Sequence, residues 1–149
     1  MGQIEHMGAG APDIHFAIFC TVGRLVCSWG MLEKALEEKI ASFRDGSGDT
    51  RLLTTRNRPN MARLLAELRA MISMRDRRNA MALTEIAAAE RDIQRVDRIR
   101  GLVVAGFHGQ AGEGFALRDS KNVEMQMTLG QLEQEIERLE DVGHRLLQL

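Results

Sequence analysis

ALTEIAAAERDIQRVDRIRGLVVAGFHG, residues 82–109, has the spacing of a helix whose character changes along its length. Ile86, Ile93, Val96, Ile99, Leu102 and Val103 recur mostly three, four or seven apart, while Glu85, Glu90, Arg91, Asp92, Arg95, Asp97 and Arg98 fill the positions between them. That spacing predicts one buried stripe on an otherwise solvated helix. Beyond Arg100 the run Leu102–Phe107 is almost wholly apolar, so this end is expected to be buried on every side or covered by a partner. The expected helix stops at His108, followed by Gly109.

The segments on either side have helical patterns of their own. Asp13 can cap a helix over Ile14–Phe43, in which Val22, Leu25, Trp29, Leu32, Leu36, Ile40 and Phe43 advance by threes and fours, the period of a helix packed in a bundle. Arg24, Gly30, Glu33 and Lys34 interrupt its apolar part, which is therefore expected to be too short and too polar to cross a membrane. Asp45, Gly46, Ser47 and Gly48 are turn residues, and the stretch to Arg58 has no clear period, which predicts a loop. Asn57 or Asn60, around Pro59, can start a second helix marked by Met61, Leu64, Leu65, Leu68, Met71 and Ile72. MRDRRN, residues 74–79, reads either as a short connection or as a polar turn of a continuing helix.

After Gly112 and Gly114, the residues Phe115, Leu117, Val123, Met125 and Met127 alternate on either side of Asp119-Ser120-Lys121-Asn122, which predicts a small hairpin. Thr128 with Gln131 has the form of a capping box, and Leu132, Ile136, Leu139, Val142 and Leu146 extend a last helix. The expectation is an all-α chain, a four- to five-helix bundle with a small β-hairpin before the last helix. Residues 1–12 are expected to be a disordered tail or a cloning scar, and residues 13–149 a single domain.

With 149 residues, 28% of them charged, and a net charge of −1, the chain is one domain and not a generic binder of polyanions. Its charge is unevenly spread. Arg51, Arg56, Arg58, Arg63, Arg69, Arg75, Arg77 and Arg78 face only Glu67 and Asp76, whereas Glu133, Glu135, Glu137, Glu140 and Asp141 crowd the tail. The arginines read as a solvated face that balances this tail; as phosphate contacts, the candidates are Arg56, Arg58, Arg77, Arg78 and Arg98. Cys20 and Cys27, seven residues apart on one helix, are separated by about 10 Å, out of disulfide reach. Reduced cysteines of this kind are expected in a cytoplasmic protein, packed as small hydrophobes on an apolar face. No phosphate loop, CxxC, HExxH, GxSxG or dinucleotide fingerprint is present, and His6, His15, His108 and His144 are scattered, so neither metal nor cofactor is expected.

The order of these elements resembles the HEPN superfamily: a first helix containing WGMLEKAL (residues 29–36), a second helix, a third ending in an apolar run plus His-Gly, and a closing Leu-Glu-rich helix. The resemblance implies a small helical bundle that is often a homodimer and, in many members, a metal-independent ribonuclease of toxin–antitoxin or phage-defence systems. The family's signature is an arginine with four to six residues between it and a histidine further on. Here the histidine would be His108, exchanging a proton with an RNA 2′-hydroxyl or leaving group, and Arg100 or Arg98 would stabilise the phosphate charge. Val103 and Gly101 hold the places where the family's arginine falls, and Arg100 is eight residues from His108, about 12 Å of rise and about 80° of rotation on an ideal helix. The expectation is therefore a dimeric binding or interaction module lacking catalysis, with RNA or a protein as partner and no membrane; the alternative is a metal-independent endoribonuclease.

Overall fold

Helix α1, Ile14–Ser47, sets the length of the molecule: its 34 residues extend for about 50 Å. The computed structural model describes residues 14–47, 59–75 and 78–149. Ile18, Leu25, Trp29, Leu32, Leu36 and Ile40 line one side of α1 and are buried against the other helices. Helix α2, Met61–Arg75, opens on Asn60, whose side-chain oxygen accepts the Arg63 amide at 2.9 Å. Helix α3, Ala80–Gly106, opens on Asn79, whose Oδ1 accepts the Ala82 amide at 3.1 Å. Helix α3 therefore starts afresh at Ala80, because the Asn79 side chain offers the backbone a cap in place of continued helix.

A three-stranded antiparallel sheet follows, in the order β1 (Phe107–Ala111), β2 (Gly114–Arg118) and β3 (Glu124–Thr128). The expected hairpin is β2–β3. Asp119 closes it, its Oδ1 accepting the Lys121 and Val123 amides at 2.9 Å each, while Asn122 takes φ 63°. Strand β1 is a correction to the sequence reading, as the helix ends at Gly106 and His108 lies in a strand. Gly106 marks the switch because the chain there passes against β2: a Cβ on it would sit 2.0 Å from the Arg118 carbonyl oxygen. The two-residue link Gly112-Glu113, with Gly112 at φ 58°, then returns the chain as β2.

The apolar run at the end of α3 is also less enclosed than expected. Val103 and Gly106 are buried, but Val104 and Ala105 are exposed, because the sheet covers one side of the helix and successive residues turn by about 100°. Helix α4, Leu129–Leu147, starts with the anticipated capping box, Thr128 Oγ1 accepting the Gln131 amide while the Gln131 side chain accepts the Thr128 amide. The chain is thus mostly α, with four helices and a small three-stranded sheet among the described residues, where the expectation had a two-stranded hairpin.

All four helices, with Phe115, Leu117 and Met127 from the sheet, share one core. Contacts fix their directions. Trp29 meets Arg100 and Phe19 meets Phe107, Arg69 meets Glu90, and Arg95 meets Glu135 while Arg145 meets Asp92, so α3 runs antiparallel to the other helices. An ion pair bridges each neighbouring pair of helices: Arg44–Glu67 from α1 to α2 at 3.1 Å, Arg69–Glu90 from α2 to α3 at 2.7 Å, Arg95–Glu135 from α3 to α4 at 3.0 Å, and Arg24–Glu140 from α1 to α4 at 3.0 Å.

Candidate functional site on the outer face of the first helix

Helix α1 carries a second apolar stripe opposite the buried one. Phe16, Phe19, Val26 and Met31 are 64%, 59%, 49% and 71% exposed, and Cys20, Gly23, Cys27 and Gly30 lie among them. At about 100° per residue these eight positions fall within an arc of about 140° centred away from the core. The stripe ends at Met31, after which the same side continues as Lys34, Glu37 and Glu38.

Two sets of apolar positions on one helix also change the membrane reading. By length and composition alone, Ile14–Asp45 is apolar enough to cross a membrane, with a mean hydropathy of 1.4 over its best window, of which 17% is buried. The interruptions at Arg24, Gly30, Glu33 and Lys34 do not prevent this, since residues of both stripes enter the same average. The cysteines are free and differ from expectation in their placement: both are exposed on the outer stripe, not packed into the core.

Aromatic rings tie this surface to the interior. His15 stacks on Phe19 at 6.2 Å, Phe19 meets Phe107 at 5.9 Å, and Phe107 meets the fully buried Phe115 at 5.9 Å. Phe19 is therefore held by the start of β1, and such contacts fix ring orientation as well as bury area. Gly23 and Gly30 are less easily explained within the subunit. A Cβ at either would meet nothing within 4 Å, yet a mid-helix glycine costs about 1 kcal/mol relative to alanine.

The residues singled out for RNA chemistry each have partners of their own. The Arg100 guanidinium lies 4.4 Å from the centroid of Trp29 and donates to Asp97 Oδ1 at 2.7 Å, a stacked and paired position on α3. His108 is exposed on β1, its Nδ1 3.2 Å from the Gly106 carbonyl oxygen. Arg98 is exposed near the C-terminal end of α3 and Arg78 precedes its start, about 27 Å away along the helix, so they do not form one patch. Arg56, Arg58 and Arg77 lie outside the described residues. A cleft of about 240 Å³ beside Trp29 is lined by Leu65, Ile93, Arg69 and Glu90, the last two paired with each other at 2.7 Å. Among the described residues no group of three or more His, Cys, Asp or Glu side chains is placed to hold a metal ion.

No family model matches the chain, and no curated protein or solved structure matches it.

Proposed function

We propose that this chain is a HEPN-like helical bundle that acts as a homodimeric interaction module without catalysis. The observation that carries the reading is the outer stripe of α1, where four large apolar side chains lie exposed over about four turns of a helix whose opposite side already supplies the core. A monomer has no use for such a stripe, which is at the upper end of what folded single chains leave in water. The engagement of Arg100 with Trp29 and Asp97 supports the non-catalytic form of the reading, since these contacts already occupy the guanidinium. Two exposed thiols suit a reducing compartment, hence the cytoplasm. Light scattering at micromolar concentration tests self-association: the expected mass is twice the 16.7 kDa of the chain, and a monomer mass refutes the reading.

A further inference from the structure

We infer that the outer face of α1 is occupied by the same helix of a second copy, packed antiparallel across Gly23; this deepens the self-association reading and rests on it. The stripe is close to a palindrome, since Phe16, Cys20, Gly23, Cys27 and Met31 read as large, thiol, glycine, thiol, large. A two-fold axis between residues 23 and 24 brings position 16 opposite position 31 and position 20 opposite position 27 of the partner, so these positions of like chemistry meet, while Phe19 and Val26 come level with Ser28 and Thr21. Gly23, whose Cβ would meet nothing in its own subunit, then lies where two backbones approach most closely. Arg24, next to the axis, is already paired with Glu140, so the copies meet without a bare like charge between them.

Charge selects the direction. In a parallel pair Lys34, Glu37 and Glu38 would each lie against their own copies, like charge opposite like charge. In the antiparallel pair position 34 is level with the start of the partner's helix at Ile14, and the polar half of each α1 extends past the end of the other helix, so its charges do not meet their own copies. Phe16, Phe19, Val26, Met31 and the two cysteines expose roughly 500 Å² per copy, so pairing removes at most about 1,000 Å² in all, the size at which specific interfaces begin.

The test uses the full chain, sized by light scattering, then treated with the thiol oxidant diamide and run on a non-reducing gel. The expected result is a dimer whose parent chain cross-links, while Cys20→Ser and Cys27→Ser do not cross-link alone, because the two copies of Cys20 lie about 10 Å apart along the axis. The two variants refolded together should cross-link again. A covalent dimer from Cys27→Ser alone indicates a parallel pair and overturns the inference. A dimer by mass whose parent never cross-links places the interface elsewhere and overturns the inference alone, leaving self-association standing. A monomer overturns both, and its sedimentation with phosphatidylcholine–phosphatidylglycerol vesicles would assign the stripe to a lipid surface. Gly23→Leu should weaken dimerisation at least tenfold with helix content retained, and an unchanged dissociation constant counts against the crossing point.

Discussion

Gly106→Ala should destabilise the protein although it replaces a poor helix former with the best one. A Cβ at this position would lie 2.0 Å from the Arg118 carbonyl oxygen, 3.1 Å from its carbon and 3.2 Å from its nitrogen. Ordinary contact begins at 3.4 Å, so the end of α3 and β2 must separate by about 1.4 Å, and the obstacle is backbone hydrogen-bonded within the sheet, not a flexible side-chain tip. Overpacking of this kind costs about 1–3 kcal/mol, and the helix-propensity gain offsets at most about 1 kcal/mol at a helix end. The net loss of about 1–2 kcal/mol corresponds to a fall in Tm of about 3–8 °C for a chain of this size. Gly101→Ala is the control, since Gly101 is exposed inside the same helix and a Cβ there meets nothing within 4 Å. It should raise Tm by about 2–4 °C through the same propensity gain without the collision. Thermal and urea unfolding followed by circular dichroism measure both. If Gly106→Ala is as stable as the parent, or if both variants move in the same direction, the close approach of α3 to β2 does not limit this junction.

Glu135 is a buried carboxylate that accepts Arg95 at 3.0 and 3.2 Å, while its Oε2 is buried without a hydrogen bond and 3.8 Å from Arg138. Arg95→Ala should therefore cost about 1–3 kcal/mol in urea unfolding, whereas Glu135→Leu should stay within about 1 kcal/mol of the parent, because removing the buried charge also removes its desolvation penalty; the reverse order would refute this. Burial, and then Arg75, hold the Lys39 pKa below its ordinary 10.5. Between the lowered value and 10.5 the unfolded chain binds the extra proton, so the parent should gain stability relative to Lys39→Met as pH rises through that window; a Tm difference unchanged from pH 8 to pH 10 would contradict it. The folded parent should leave a single-stranded RNA uncut, and a chelator-resistant cleavage that is lost in His108→Ala would return Arg100 and His108 to a catalytic role.

Local chemistry was legible in the sequence wherever it sufficed to fix the chain. The Thr128–Gln131 capping box, the Asp119–Asn122 turn and the spacing of Met61–Ile72 each act within a few residues, and each appears in the structure. Strand β1 was not legible: FHGQA extends an apolar helical run, and only the approach of β2 to Gly106 turns it into a strand. Nor was the engagement of Arg100, as Trp29 lies 71 positions away and no spacing rule links them. The outer stripe of α1 obeys the same periodicity as the inner one, so a search for one buried face stops at the first it finds. Periodicity identifies apolar sides; it does not say what covers them.

Four of the interhelical ion pairs, one for each neighbouring pair of helices, carry a sense of direction, although Arg145 of α4 also returns an arginine to Asp92 of α3. Helix α1 supplies arginine to both of its neighbours, α4 supplies glutamate to both of its neighbours, and α2 and α3 each receive on one side and give on the other. Exchanging α1 with α2 in the ring would part Arg69 from Glu90 and Arg24 from Glu140, so the order in which helices neighbour one another is written in charge. A ring of pairs is, however, satisfied equally by its mirror winding, because every neighbour remains a neighbour. The hand of the molecule must be decided elsewhere, and the covalent junction at Gly106, where α3 passes into a sheet of fixed twist before the chain climbs again as α4, is the place that can decide it.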